Sequence, residues 1–273
     1  MNGGESFVRF FLLTEEPFSK EIADRDLWLP PSKQVLVDEL CEAVHQHEQV
    51  LLVGEPGAGK TCVLRTLRQA LPQPGFRLTY CHNATLGRRD FYRQLCAALG
   101  FTPTATAAAL FFAVTTHVEA LGRDHIHPVF LLDEAHLLHQ DMLDHLHILL
   151  NYEWDSRALL SLVLVGLPEL EDRLGLRKNR SLYSRIHRRL AIGPTTPDDT
   201  GEYVRLRLRR AGCERELFTS EALAAMHEAA GSSLREIDRL ATAALREAAR
   251  RKNKLVEREV MAHVLGHPKD DGD

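Results

Sequence analysis

The feature that most constrains this chain is a glycine-rich loop that directly follows a short apolar run, residues 50–53. Glycines let the backbone turn tightly, so that N–H groups of the loop and of the next helix converge on phosphate oxygens. The sequence therefore predicts a nucleotide site built from one continuous stretch. Its residues are Gly54, Glu55, Pro56, Gly57, Ala58, Gly59, Lys60, Thr61 and Cys62, in the pattern G-x-x-x-x-G-K-T followed by a cysteine.

Two side chains of this loop are predicted to contact the bound ligands directly. Lys60 reaches the β- and γ-phosphates of ATP, and the Thr61 hydroxyl ligates Mg²⁺. The surroundings agree, because the run before the loop is typical of a buried strand and residues 62–71 have the apolar spacing of a helix. ATP and Mg²⁺ are thus the expected substrate and cofactor.

A second apolar run, residues 129–132, ends in the carboxylates Asp133 and Glu134. This is the Walker B pattern, in which a carboxylate at the end of a buried strand lies beside the phosphate loop. Asp133 is therefore the predicted metal residue, and Glu134 is predicted to take the attacking water. With Ala135 and His136 the letters also spell a helicase box. We interpret that spelling as coincidence, because the remaining sequence contains no second helicase domain.

The order of the apolar runs predicts an α/β fold with a parallel sheet, the fold class of a P-loop NTPase core. Continuous apolar runs at 77–81, 128–132 and 159–165 are typical of strands buried on both faces. Helical periodicity separates these runs, including one predicted helix over 136–152. A doubly wound sheet is the architecture that this alternation favours.

Beyond residue 194 the periodicity is helical only, which predicts a C-terminal helical lid domain. The predicted lid helices lie near 198–211, 220–229, 233–251 and 257–264. The expected domains are an N-terminal segment packing on the core (1–33), the nucleotide-binding domain (34–193), the lid (194–266) and a disordered acidic tail (267–273).

Composition places the chain among ordinary globular proteins. With 273 residues and a net charge of −4, it can bury one sizeable core and a small second domain. No apolar run approaches the roughly 20 residues that a membrane span needs, and the N-terminus lacks the order of a signal peptide. We therefore expect a cytoplasmic protein without a membrane partner. Positive charge is concentrated between residues 173 and 215, where the sequence has twelve Lys or Arg and four acids.

Two further segments resemble parts of the AAA+ ATPases. Residues 231–238 resemble the sensor 2 segment of the lid, with Arg235 at the arginine position. Residues 184–189 resemble the segment that offers an arginine finger to a neighbouring subunit. The resemblance implies a homo-oligomer, a ring or a filament, in which Arg185 is the first choice for the finger and Arg188 or Arg189 the second. Solvated arginines on a helix are the alternative.

Within that class the chain resembles the ExeA-type family over most of its length. Leu167 is a departure, because the family usually has a polar residue after the Val-Gly of this strand. The resemblance therefore leaves open whether a sensor 1 residue contacts the γ-phosphate. The stretches that carry the resemblance are residues 16–18, Ser32, 133–136, 149–153 and 163–170.

The resemblance implies one of two jobs. Some ExeA-type proteins are inner-membrane ATPases of type II secretion, which continue into a transmembrane helix and a peptidoglycan-binding domain. Others resemble transposition helpers of the TniB, Mu B and IstB kind, which assemble on DNA with ATP and recruit a transposase. Because this sequence stops after the lid, a transposition helper is the expectation, with double-stranded DNA and a transposase or integrase as partners. Secretion assembly and a nucleotide-dependent signalling switch are the alternatives.

Two groups of basic residues are the predicted DNA contacts. Arg88 and Arg89 follow the second predicted strand, in the region where DNA-binding relatives of this class present backbone contacts. An exposed charge pair at a helix start is the alternative. Arg177, Lys178 and Arg180 form the second candidate group.

Overall fold

The computed structural model describes residues 3–72, 74–82, 85–102, 106–153 and 156–266, without the side chains of residues 3–6 and 25. The acidic tail expected at 267–273 lies outside the described residues. The chain divides into two compact units. An α/β unit consists of Pro31–Glu55 and Lys60–Ile192, and a helical unit consists of the described parts of Met1–Pro30, Pro56–Gly59 and Gly193–Asp273.

The α/β unit is built on a sheet in which all paired strands are parallel. Three of the strands are buried along their whole length, as expected where helices cover both faces of a sheet. The predicted parallel α/β sheet is confirmed. Within the described ranges the strands are β1 (Gln49–Val53), β2 (Phe76–Cys81), β3 (His127–Leu132), β4 (Ser161–Gly166) and β5 (Ile186–Ala191), in the order β2-β3-β4-β1-β5.

Helices make up most of the rest of the described chain. Short 3-10 turns lie at Asp24–Asp26, Ala135–Leu137 and Arg177–Asn179. The α-helices are α1 (Gly3–Phe11), α2 (Pro31–His45), α3 (Lys60–Ala70), α4 (Arg88–Ala98), α5 (Ala107–Arg123), α6 (Gln140–Leu149), α7 (Glu169–Gly175), α8 (Arg180–Tyr183), α9 (Pro197–Arg210), α10 (Ser220–Ala230), α11 (Leu234–Arg250) and α12 (Arg258–Gly266).

The core of the α/β unit lies between the sheet and helices α4, α5 and α6. Tyr92 of α4, Val114 of α5 and Leu146 of α6 are fully buried. They belong to the same apolar cluster as Phe130 of β3 and Leu162 of β4. Burying each such side chain contributes roughly 1.5–3 kcal/mol. The cluster therefore stabilises the packing of the three helices on strands β3 and β4.

The turn after β3 differs from the single helix expected over 136–152. The chain forms the 3-10 turn Ala135–Leu137 and begins α6 only at Gln140. Glu134 has a left-handed backbone with φ 53°, and His139 is extended with ψ 152°. Because neither conformation continues a helix, the expected helix was wrong in extent. The break places Glu134 and His136 on a tight turn.

Strand β5 is missed by the sequence patterns, which indicate only a finger segment over 184–189. In the structure β5 lies beside β1 at the edge of the sheet. Only Ile186 and Leu190 of this strand are buried. An edge strand needs few apolar residues and tolerates charge, so β5 lacks the continuous apolar run by which buried strands are recognised.

The helices of the C-terminal part begin and end within two residues of their predicted bounds. Helix α9 starts with a capping box: Thr196 Oγ1 accepts from the Asp199 N–H at 3.1 Å, and the Asp199 carboxylate accepts from the Thr196 N–H at 2.8 Å. Ser233 caps α11 by accepting from the Glu236 N–H at 3.3 Å. Buried side chains that join α9 to α12 in one cluster include Leu208, Met226, Leu245 and Met261.

The N-terminal segment was expected on the nucleotide-binding core, as residues 1–33. In the structure its described part, up to Pro30, belongs to the helical unit, and α1 packs against α11. The N–H of Thr14 donates to the Ala211 carbonyl at 2.9 Å. Four buried side chains of the segment share the apolar cluster of α9 to α12: Phe7, Phe11, Leu13 and Phe18.

A buried arginine gives the physical reason for this placement. Arg207 of α9 is 4% exposed. Its Nε donates to the Pro17 carbonyl and its Nη2 to the Ser19 carbonyl, both at 2.6 Å. Its Nη1 donates to the Tyr203 hydroxyl at 2.7 Å, and that hydroxyl donates to Asp238 Oδ1 at 2.8 Å. The segment supplies carbonyl acceptors that a buried guanidinium requires.

Candidate nucleotide-binding site

The loop after β1 has the backbone that its glycines predict. Gly57 and Gly59 have φ angles of 80° and 95°, which residues with a Cβ adopt rarely. Within the helical unit, a Cβ on Gly57 would lie 2.0 Å from Ser233 Oγ. Backbone conformation and space therefore both require glycine at position 57.

Lys60 begins α3, and its Nζ donates to the carbonyls of Gly54 at 2.7 Å and Glu55 at 3.1 Å. Thr61, which is exposed, and Cys62, which is half-buried, follow in the same first turn. The first turn of a helix has N–H groups without helical partners and carries the positive end of the helix dipole. The ammonium and the helix start therefore form a positive site of the kind that attracts phosphate.

Asp133 lies directly after β3 and is 9% exposed. Its Oδ2 accepts from the Tyr80 hydroxyl at 2.8 Å, and its Oδ1 accepts from the Glu134 N–H at 2.9 Å. Burial, and then the bond to Asp133, raise the pKa of Tyr80 above its usual range, so the hydroxyl keeps its proton and donates. These bonds fix both oxygens of the carboxylate in orientation.

Glu134 stands on the turn that follows, with its side chain 48% exposed. Its Oε2 is 3.5 Å from His136 Nε2. The Nδ1 of the same imidazole accepts from the Leu167 N–H, just past the end of β4, at 3.5 Å. His136 therefore lies between the predicted catalytic carboxylate and the strand end where a sensor 1 residue was in question.

Arg173 of α7 holds this turn from outside. Its Nη1 donates to the His136 carbonyl at 2.9 Å and its Nη2 to the Leu138 carbonyl at 2.6 Å. A planar guanidinium with two donors in fixed geometry restrains both carbonyls at once. The half-buried Arg173 thus stabilises the 3-10 turn that carries His136.

Sequence reasoning missed Tyr80, His136 and Arg173 as members of this site. The position of Tyr80 could have been predicted, because it is the second-last residue of β2. The carboxyl ends of neighbouring parallel strands lie on the same side of a sheet, so Tyr80 lies near the end of β3. His136 was visible in the four-letter motif, but we attributed those letters to coincidence. Arg173 falls within the basic stretch, and nothing in its spacing separates it from the other arginines.

The three finger candidates lie in and before β5. Arg185 directly precedes the strand and is half-buried. Arg188 donates from Nε to Glu48 Oε2 at 2.8 Å, and its Nη2 is 3.6 Å from Glu42 Oε1. The Arg189 guanidinium lies over the Tyr183 ring, 4.0 Å from its centroid. Arg188 is thus paired with carboxylates of its own chain, and the choice among Arg185, Arg188 and Arg189 as the finger stays a prediction.

Arg235 is the second residue of α11 and is exposed. The residue before it, Leu234, donates its N–H to the Gly57 carbonyl at 3.1 Å, a bond within the helical unit, which includes Pro56–Gly59. The contact predicted between Arg235 and the nucleotide stays a prediction.

The predicted DNA contacts are exposed residues of the α/β unit. Arg88 and Arg89 occupy the first turn of α4. Arg177 and Lys178 lie in the 3-10 turn before α8, and Arg180 begins α8. The two groups therefore lie on different elements, and their role in binding DNA stays a prediction.

The donor set fits a nucleotide that carries Mg²⁺. Lys60 and the α3 start suit phosphate oxygens, while the Thr61 hydroxyl and the Asp133 carboxylate are hard oxygen ligands of the kind Mg²⁺ prefers. Among the residues that the structure describes, no group of three or more His, Cys, Asp or Glu could hold a metal. When bound, Mg²⁺ would neutralise charge on the phosphates of the nucleotide.

Comparison with known proteins agrees with this geometry. The sequence profile of the family described as "AAA domain" matches residues 41–174, a range that contains the loop, Asp133 and Glu134. The chain is 33% identical to General secretion pathway protein A of Aeromonas hydrophila in an alignment that covers 97% of this chain and 50% of that relative. It therefore spans about half the length of that relative. The predicted AAA+ resemblance is confirmed, whereas similarity to transposition helpers stays a prediction.

Solved structures show the same fold at low identity. Drosophila ORC bound to DNA matches with a TM-score of 0.69 and 20% identity, covering 95% of this chain and 65% of that one. Cdc6p from Pyrobaculum aerophilum matches with a TM-score of 0.65 and 18% identity, covering 88% of this chain and 67% of that one. The predicted α/β P-loop NTPase fold is confirmed.

Searching the described helices for a membrane span finds none that is both long and apolar enough. The cytoplasmic location stays a prediction.

Proposed function

We propose that this chain binds ATP with Mg²⁺, hydrolyses it, and uses the bound nucleotide to assemble copies of itself on double-stranded DNA. The observation that carries the hydrolysis is the pair at the end of β3, where the buried Asp133 is followed by the exposed Glu134 on a turn. A fixed carboxylate suits a metal, and an exposed carboxylate beside it suits a water molecule.

Each residue of the site has a distinct role in the reaction. Lys60 offsets the negative charge of the β- and γ-phosphates, and Thr61 and Asp133 hold Mg²⁺. Glu134 orients a water molecule and accepts its proton as the water oxygen bonds to the γ-phosphorus. The bond from that phosphorus to the ADP oxygen breaks, and ADP and phosphate are released.

The test of ATP binding is substitution of Lys60. Lys60→Ala is expected to lose binding of a fluorescent ATP analogue and all phosphate release, because the phosphate-facing charge is gone. Lys254→Ala, an exposed lysine of the helical unit, is the matched control and is expected to behave as wild type. Turnover by Lys60→Ala at the wild-type rate would contradict the proposal.

Hydrolysis is proposed to need assembly, because Arg185 reaches the nucleotide of a neighbouring subunit. Fingers of this kind raise the rate by about 10³–10⁵. Activity per subunit is therefore expected to rise with protein concentration, and mixing Arg185→Ala with Lys60→Ala protein restores part of it. Activity independent of dilution, with no rescue on mixing, would place the finger elsewhere.

DNA binding is proposed at Arg88 and Arg89, which are exposed at one helix start. An ATP-ordered assembly repeats this weak pair along a duplex, so that phosphate contacts add up. One structure with this fold, that of Drosophila ORC, is bound to DNA. A transposase or integrase that joins the ATP–DNA assembly is the proposed partner, which co-sedimentation with the assembly would test.

Fluorescence anisotropy of a labelled duplex across a salt series tests the DNA proposal. Binding is expected with a non-hydrolysable ATP analogue, with little dependence on sequence. The double substitution of Arg88 and Arg89 by Ala makes the negative slope of log affinity against log salt less steep, by about 0.9 for each lost contact. The double variant Arg123→Ala with Lys254→Ala removes equal charge and is expected to keep the slope. Tight binding of DNA by the Arg88 and Arg89 variant would contradict contacts at these residues, and Arg177, Lys178 and Arg180 would become the candidates.

Secretion assembly is the second candidate, favoured by the 33% identity to General secretion pathway protein A over 97% of the chain. The chain spans half of that relative, so the role of the whole relative is a proposal here. ATP hydrolysis without DNA binding in any nucleotide state would support this candidate. Deletion of the gene in its host, with loss of protein export as the expected result, tests it directly.

A further inference from the structure

We infer that His136 is a positioning residue that holds the Glu134 carboxylate for hydrolysis, an inference that rests on the proposed ATPase activity. The imidazole has one nitrogen directed to each of two groups. Nε2 is 3.5 Å from Glu134 Oε2, and Nδ1 accepts from the Leu167 N–H at 3.5 Å.

The tautomer of His136 follows from these contacts. A backbone N–H can only donate, so the Nδ1 that faces Leu167 carries no proton. The proton of the neutral ring then stands on Nε2 and is directed to Glu134. Both distances are at the long end of the range for hydrogen bonds.

The position of the imidazole is fixed from two sides. A Cβ on Gly166 would lie 3.2 Å from the His136 nitrogen of the backbone and 3.3 Å from Nδ1, so glycine at the end of β4 leaves the space that the ring uses. Arg173 restrains the backbone by donating to the His136 carbonyl at 2.9 Å. The His136 side chain is 16% exposed and the Glu134 side chain is 48% exposed. The ring is therefore the more buried of the two partners.

This arrangement supplies a polar contact at Leu167, where a polar side chain was expected. The Leu167 side chain has no hydrogen-bonding group, but its backbone N–H holds His136. A polar link between the end of β4 and the hydrolytic carboxylate is thus supplied by the backbone and by a histidine of the β3 turn.

Three substitutions of His136 distinguish a role in positioning the Glu134 carboxylate from a role in filling space. Glutamine places an amide N–H near the position of Nε2, asparagine reaches only the position of Nδ1, and phenylalanine fills the space without a donor. We expect His136→Gln to retain kcat within a few-fold, and His136→Asn and His136→Phe to lower it about 100-fold. KM and the Kd for ATP should change little, because the phosphate contacts are made elsewhere. His139→Gln is the matched control. The His139 ring bonds the Thr85 carbonyl at 2.8 Å and not Glu134, so its kcat is expected to be unchanged.

A readout without turnover is the ¹⁵N NMR spectrum of the His136 ring in nucleotide-free protein. The expected spectrum shows a protonated Nε2 and an unprotonated Nδ1, and Glu134→Ala shifts the Nε2 resonance. A protonated Nδ1 in the neutral ring would overturn the inference. So would equal loss of kcat in all three variants in proportion to lost thermal stability. If the wild-type chain turns over no ATP, the proposed function fails, and the NMR result alone still decides the contact between His136 and Glu134.

Discussion

Two tyrosine–aspartate pairs of this chain have the same geometry and different surroundings. Tyr80 donates to Asp133 at 2.8 Å in the α/β unit, and Tyr203 donates to Asp238 at 2.8 Å in the helical unit. Asp133 is followed by an exposed carboxylate, whereas Asp238 lies 3.7 Å from Nη1 of the buried Arg207. The same type of hydrogen bond therefore occurs in a predicted metal site and in a buried ion pair.

The difference shows how surroundings determine the role of a buried carboxylate. At Asp238 the cation comes from the protein itself, so the network is complete and joins α9, α11 and the N-terminal segment. Asp133 accepts hydrogen bonds from a hydroxyl and a backbone N–H, both neutral donors. A carboxylate oriented by neutral donors keeps its charge for an external cation.

The largest expected effect distinguishes the two pairs by catalysis. Glu134→Gln should lower ATP turnover by about 10²–10⁴ because the group that accepts the proton of water is lost. Its Kd for ATP should stay near the wild-type value. Glu236→Gln, two residues from Asp238, is the matched change and should keep full turnover. Single-turnover phosphate release measures both, and equal rates for the two variants would remove the functional distinction.

The second effect distinguishes them by stability. Arg207→Met should lower the free energy of unfolding by about 3 kcal/mol, because it leaves Asp238 without its buried cation. The carbonyls of Pro17 and Ser19 lose their donor as well. Arg239→Met, at a side chain that is 59% exposed, should change stability by less than about 0.5 kcal/mol. Urea unfolding gives both values, and a loss below 1 kcal/mol for Arg207→Met would show that the network is dispensable.

The third effect is a pH dependence of the free energy of unfolding, which arises from Asp238. Burial raises the pKa of Asp238 to about 6, although Arg207 and Tyr203 act in the opposite direction. The native carboxyl thus binds its proton more tightly than the unfolded one, whose pKa is near 3.9. This contribution to stability is full below about pH 4 and is lost as the pH rises through about 6, by about 3 kcal/mol.

The comparison of wild type with Asp238→Asn isolates this contribution. Asparagine can still accept from Tyr203, but it does not ionise. The difference in unfolding free energy between the two proteins should therefore change between about pH 4 and pH 6.5 and be level outside that range. A difference that is constant with pH would contradict the raised pKa.

The smallest expected effect comes from removing each tyrosine hydroxyl. Tyr203→Phe should cost about 1 kcal/mol of stability and leave Mg²⁺ affinity unchanged. Tyr80 is 45% exposed, so Tyr80→Phe should leave stability within about 0.5 kcal/mol and weaken Mg²⁺ binding in the presence of ATP roughly 10-fold. Thermal unfolding and a Mg²⁺ titration measure the two quantities. Equal effects of both variants on both quantities would show that the pairs do not differ in role.

The sequence by itself determines the phosphate loop, the buried strands β1, β3 and β4 and the helices α9 to α12. These features are local: the loop acts through consecutive backbone N–H groups, and buried strands and amphipathic helices follow from the spacing of apolar residues. The carboxylates Asp133 and Glu134 were equally readable, because they directly follow an apolar run.

Only the tertiary structure decides which distant residues surround those carboxylates. Tyr80 reaches Asp133 because β2 pairs with β3, and His136 meets Leu167 because β3 pairs with β4. The edge strand β5 and the place of the N-terminal segment were likewise missed, since the first has few apolar residues and the second depends on Arg207, about 190 residues away in sequence. Hydrogen bonds between distant residues leave no periodic pattern in a sequence, because their partners are set by how the strands and helices pack.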